Sequence, residues 1–140
     1  MKKLLRGLSV AGLVLVCAAA LNAGSLEKQG KDWLDKQTDP AAINVSGTWS
    51  SEFGELRLDQ VTGSRDVSGS GGGYNLDGVV SGKRLYLLFA TNHGTVDYCA
   101  IVSFESDGVL SGEYYSRLSR LRMGTGLCQE KSRRLLLHKR

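Results

Sequence analysis

Four short segments of this chain set a glycine in the same surroundings: Val45-Ser46-Gly47-Thr48-Trp49, Val67-Ser68-Gly69-Ser70-Gly71, Leu76-Asp77-Gly78-Val79-Val80 and Leu110-Ser111-Gly112-Glu113-Tyr114. Each couples an apolar and a polar residue to glycine between turn signals. Glycine lets a strand coil where a Cβ would clash, so the repeat confines residues 45 to 115 to an antiparallel meander that bends.

The spacing predicts strands at 45–51, 55–61, 65–71, 74–80, 84–90, 95–105, 109–115 and 132–138. Glycine-bearing turns join them, Glu52-Phe53-Gly54, Thr62-Gly63-Ser64, Gly72-Gly73, Ser81-Gly82-Lys83, Thr91-Asn92-His93-Gly94 and Ser106-Asp107-Gly108, and loops this short make neighbours antiparallel. The exception is the long link 116–131, rich in Arg and Gly. Leu56 and Leu58 lie opposite Glu55, Arg57 and Asp59, and Leu85, Leu87 and Phe89 share one face, so one side of the sheet is apolar. The expected fold is all-β: an eight-stranded antiparallel up-and-down barrel, whose closure removes the exposed edges, with a short N-terminal helix. The segment 95–105 is apolar on both faces, with Val96, Tyr98, Ala100, Val102 and Phe104 against Cys99 and Ile101. Something must cover its outer side, the N-terminal helix or the long link.

The first residues have the three parts of an export signal: Lys2, Lys3 and Arg6, the apolar run Leu8 to Val16, then small residues from Cys17 to Ala23. The run is shorter than the roughly 20 residues a spanning helix needs. The chain thus divides into a signal peptide (1–23), a helical lead-in (24–44) and the barrel domain (45–140). Cleavage after Ala20 or Ala23 gives a periplasmic or secreted protein. Lipidation of Cys17 is the competing reading and makes a membrane-anchored lipoprotein, although Val16 stands where a small residue normally precedes such a cysteine. In the lead-in, Leu26, Trp33 and Leu34 fall on one helical face after Ser25 and before Asp39-Pro40. That face is expected to lay Trp33 over a barrel mouth, or else to serve as an arm that binds a partner.

Two cysteines remain after export, Cys99 and Cys128, and in an oxidising compartment they are expected to pair. The bond closes a loop of about 30 residues and contributes about 3 kcal/mol. Catalysis finds no support: the body carries only His93 and His138 and lacks a Gly-x-Ser-x-Gly elbow. Two distant histidines make no metal site, and Gly69 to Gly73 lacks the Lys-Ser/Thr and following helix of a phosphate loop. No enzyme activity, metal or cofactor is expected.

Charge is split. Residues 25–116 hold seven basic and thirteen acidic groups, whereas 117–140 hold eight basic groups and one acid. Arg117, Arg120, Arg122, Arg133 and Arg134 are the candidate anion-binding residues. For an exported protein they point to anionic lipid, lipopolysaccharide or acidic glycan rather than nucleic acid, and the plain alternative is a solvated face balanced by the acidic body. Trp49, Tyr74, Phe89, Tyr98 and Tyr114 are the candidate ligand-binding residues, lining or plugging the interior. The inward glycines leave either room for a small apolar ligand or a tightly coiled sheet.

At Gly47-Thr48-Trp49, opening the first strand after a short helix, the chain resembles the avidin and lipocalin group of small β-barrels. The repeated Ser-Gly-x-aromatic strands look more like avidin, and Val96-Asp97-Tyr98 followed by Arg117 is similar to the Thr-Asp-Tyr and later Arg of lipocalins. The resemblance implies a calycin-type barrel with Trp49 packed across its closed end. It does not extend to biotin, which avidins stack on several tryptophans, because Trp33 and Trp49 are the only two here. The expected function is noncatalytic binding of a small apolar or amphipathic molecule in the barrel mouth, with membrane attachment only through Cys17. One alternative is a protein-binding inhibitor of a secreted hydrolase, since some exported protease inhibitors join such a barrel to one disulfide and a protruding N-terminal segment, here residues 25 to 44. The other is a structural envelope lipoprotein.

Overall fold

The computed structural model describes residues 25–116 and 132–140; the export segment with Cys17, and the link with Cys128, Arg117, Arg120 and Arg122, lie outside the described residues. Helix α1 (Ser25–Asp35) precedes β1 (Gly47–Ser51), β2 (Gly54–Gln60), β3 (Asp66–Gly71), β4 (Tyr74–Ser81), β5 (Arg84–Ala90), β6 (Val96–Ser106), β7 (Val109–Ser116) and β8 (Ser132–Lys139). The eight strands form a closed antiparallel barrel in sequence order. Its last seam pairs β1 with β8 through Trp49↔Lys139 and Ser50↔His138, extended by the Arg140 N–H to the Thr48 carbonyl at 2.8 Å.

The interior is filled by side chains at the alternating positions. Leu56, Leu58, Leu85, Leu87, Phe89, Val102, Leu135 and Leu137 are fully buried in one cluster. The repeated glycines serve coiling. A Cβ at Gly112 would stand 1.9 Å from the Ile101 carbonyl oxygen, and one at Gly69 would stand 2.0 Å from that of Arg57. Backbones that close leave no space for a side chain, so these glycines mark tight approach between strands.

The end where the chain enters is closed by residues 40–46. The Ala42 N–H donates to the Gly82 carbonyl at 2.8 Å and the Gly82 N–H to that of Pro40 at 3.0 Å. Ala41 and Ile43 pack onto the core, and Val45 is part of it. Gln60, a buried polar side chain, knots this end together. Its Oε1 accepts the Val45 N–H at 2.8 Å, and its Nε2 donates to the carbonyls of Ile43 at 3.2 Å and Ser64 at 2.9 Å. The Trp49 indole N–H donates to the Val45 carbonyl at 2.9 Å, which holds the first-strand tryptophan against the closed end.

A second apolar cluster lies outside the barrel. Tyr86 and Leu88 alternate outward on β5, beside Val79, Val96 and Cys99, and Leu34 of α1 is buried among them with Trp33 packed alongside. Trp33 therefore does not cover a mouth: its ring stands edge to face with Tyr86 at 5.5 Å. The reason is that β5 is apolar on both faces and needs cover there. Residues 25–44 are laid along the wall and across the entry end, so no free arm projects from them. At the helix end the Gln37 side-chain amide donates to the Trp33 carbonyl at 2.9 Å, satisfying an otherwise orphan acceptor. No helix among the described residues is long and apolar enough to cross a membrane.

Strand β6 departs from simple alternation. Phe89 pairs with Tyr98, but Ala90 pairs with Val96, which leaves Asp97 as an extra residue. The bulge turns Val96 into the outer cluster, opposite to the face it was expected to share with Tyr98. At the far end of the strand Phe104 is among the exposed large apolar residues, with Lys83 Nζ 5.9 Å from its ring centroid.

Two substitutions test these constraints by urea unfolding. Gly112→Ala should cost about 1–3 kcal/mol through backbone displacement. Gln60→Leu, which keeps the volume but strands the Val45 N–H, should cost about 1–3 kcal/mol. An unchanged midpoint for either would remove the corresponding argument.

Candidate functional site

Four of the five expected ligand residues converge at the end opposite the entry, where the turns β1–β2, β3–β4 and β5–β6 lie. Phe89 stands there with Tyr74, Tyr98 and Tyr114, and Phe53 fills the centre. Phe53 stacks on Phe89 at 4.6 Å with 30° between planes. It meets Tyr114 at 4.9 Å, Tyr98 at 5.3 Å and Tyr74 at 6.3 Å edge to face. Phe89 is fully buried and Tyr114 nearly so, whereas Phe53, Tyr74 and Tyr98 are half-buried. Trp49 is placed apart from this group by its bond to Val45, toward the closed end.

Phe53 was not among the expected residues. It sits with Glu52 in a two-residue turn between the paired Ser51 and Gly54, a setting that reads in sequence as a plain hairpin tip. The signal available was a large apolar residue at a turn, which is unusual unless the tip folds back onto apolar surface.

The rim is polar. The Tyr114 hydroxyl donates to Glu52 Oε2 at 3.1 Å and the Tyr74 hydroxyl to Asp97 Oδ2 at 3.3 Å. The bulge in β6 is what brings Asp97 to Tyr74. Burial, followed by the Asp97 charge, raises the pKa of Tyr74 above the usual 10.0. Burial and the bond to Glu52 do the same for Tyr114, against the opposing pull of Arg133. Tyr115, on the outer face, is also raised, by burial and then by its bond to Glu113.

The basic residues divide. Arg133 shares the parity of Leu135 and Leu137 but is exposed, and it pairs with Tyr114 in register, where its charge acts on that hydroxyl. Arg134 points outward, opposite Glu113 in register, and the chain-terminal Arg140 is paired with Glu55 at 2.7 Å. The Arg140–Glu55 pair is exposed and contributes little stability. Cys99 is buried in the outer cluster beneath α1.

Elsewhere, a surface groove of about 480 Å³ runs between α1 and strands β2 to β4, with Lys31, Arg65, Asp59 and Asp77 among its walls. It holds none of the expected ligand residues. Among the described residues no group of three or more His, Cys, Asp or Glu could hold a metal ion. Comparison with known family models, curated proteins and solved structures found no match to this chain.

The raised tyrosines yield a pH expectation with a defined sign. A group whose pKa is higher folded than unfolded stabilises the fold fully below the unfolded value and loses that contribution as pH rises through the folded one. Stability should therefore be flat toward neutral pH as far as these phenols are concerned, and should fall above 10.0. In a tyrosinate absorbance titration, Tyr114→Phe should remove a late-ionising phenol. An unchanged titration curve in that variant would contradict the assignment.

Proposed function

We propose that this chain is an exported, noncatalytic β-barrel, avidin- or lipocalin-like in layout, that binds a small apolar or amphipathic molecule at its aromatic mouth. The observation that carries the reading is the convergence of Phe53, Tyr74, Phe89, Tyr98 and Tyr114 at one end while residues 40–46 close the other. Aromatic walls with a few convergent polar groups are the usual make-up of small-ligand sites. With leucines filling the middle of the barrel, the ligand sits at the mouth rather than deep inside. A disulfide between Cys99 and Cys128 belongs to the same reading: it staples the link between β7 and β8 to β6 and suits an oxidising compartment. Release to the periplasm or exterior follows signal cleavage, and attachment to a membrane follows only from lipidated Cys17.

Mass spectrometry of protein taken from its native envelope tests this directly. The denatured chain should begin near Leu21 or Gly24 and be lighter, before reduction, by the hydrogens of the paired thiols. Under native conditions a fraction should carry an additional small molecule. Absence of any bound or bindable small molecule would overturn the ligand-binding function, and a mass beginning at lipidated Cys17 would move the protein to the membrane surface.

A further inference from the structure

We propose that Phe53 is a built-in stopper occupying a slot shaped for one aromatic ring, and that the ligand which displaces it is an aryl amine, a flat ring carrying an ammonium group. The inference rests on the mouth being the binding site and names what that site takes.

The slot is defined by the contacts of the Phe53 ring. Phe89 lies against its face, and Tyr98 and Tyr114 meet it at 64° and 68°. Such an arrangement of one stacked and several edge-on partners suits a single ring. The wall residues belong to strands β4, β5, β6 and β7, where ladder pairs fix their backbones. Phe53 is different. It is half-buried at the tip of a two-residue turn, and rotation about its own χ1 moves the ring to solvent while Ser51 and Gly54 stay paired. The turn itself is held independently, by the Phe53 N–H to Ser51 Oγ at 3.1 Å and the Ser51 hydroxyl to the Gly54 carbonyl at 2.9 Å.

Charge selects the ligand class. Among the described residues at this mouth, Glu52 and Asp97 are acceptors, each touched by a tyrosine hydroxyl; Arg133 is a cation beside Tyr114 in register, and Arg134 lines an outer groove with Glu52. An ammonium group donates to the carboxylates and is drawn to the faces of the surrounding rings. An aryl carboxylate meets the same two carboxylates as like charges.

The test titrates the mature full chain with phenethylamine and with phenylpropanoate, by calorimetry. Wild-type protein should bind the amine weakly, because the tethered ring competes, and Phe53→Ala should bind it about 10-fold or more tightly. Both proteins should prefer the amine over the carboxylate, and the preference should fall to near unity when Glu52→Gln and Asp97→Asn are combined. Phe53→Trp keeps the slot filled and serves as a reporter: saturating amine should shift its indole emission to the red as the ring moves into water. Weaker binding by Phe53→Ala than by wild type would make Phe53 part of the wall and overturn the stopper while leaving the mouth as the site. Tight binding without preference for the amine would overturn the ligand class. No binding by any form would remove both the inference and the ligand site. Should Phe53→Ala fail to fold, an unshifted Phe53→Trp spectrum at saturation overturns the stopper.

Discussion

Everything in this structure hangs on the seam between β1 and β8. Strand β1 is five residues long, and its hold on β8 is the pairing of Trp49 with Lys139 and Ser50 with His138, extended by the Arg140 amide. If that seam opened, two strand edges would expose their hydrogen-bonding groups and the interior leucines would meet water. A seam this short is sustained by curvature elsewhere. At Gly69 and Gly112 neighbouring backbones approach too closely for any side chain, and that coiling brings the eighth strand back to the first. The Glu55–Arg140 ion pair crosses the same region but is exposed and contributes little beside the backbone pairing.

Closure leaves two ends, and the chain treats them differently. The entry end is locked by polar chemistry: Gln60 uses its carbonyl and amide on Val45, Ile43 and Ser64, and Trp49 adds its indole N–H. A buried amide with all these partners satisfied rigidifies the end it occupies. The opposite end is held by ring contacts around Phe53, with hydroxyls and carboxylates at the rim. Ring contacts are less directional than a satisfied amide, so this is the end at which one side chain can be exchanged for another molecule at lower cost. The asymmetry is what makes the aromatic end the one proposed for binding, with the polar lock at the other.

Much of the mouth was legible from sequence. Tyr74, Phe89, Tyr98 and Tyr114 could be gathered because period-two alternation sends them all to one face. Three features could not. Phe53 lies in a turn, where alternation says nothing about direction. Asp97 reaches Tyr74 because a bulge adds one residue to β6, and a bulge is a property of the pair of strands rather than of either alone. Arg133 looked like a member of a basic surface tract, yet its parity with Leu135 sets it beside Tyr114 at the rim while Arg134 turns out. The helix was recognisable from its apolar face, but its resting place depended on Tyr86 and Leu88 facing outward on β5. Alternation in sequence assigns a face only to Leu85, Leu87 and Phe89 of that strand.

The sequence by itself determined that this chain is a meander of eight short antiparallel strands with one apolar face, because glycine placement and side-chain alternation are local and survive without knowledge of neighbours. The tertiary structure alone decided which end is sealed, where α1 rests, that Gly69 and Gly112 meet neighbouring backbone and leave no ligand room, and that Phe53 stands inside a ring of aromatic side chains. Each of those outcomes depends on strand register and barrel shear, which arise only when distant segments meet and which no single stretch of sequence encodes.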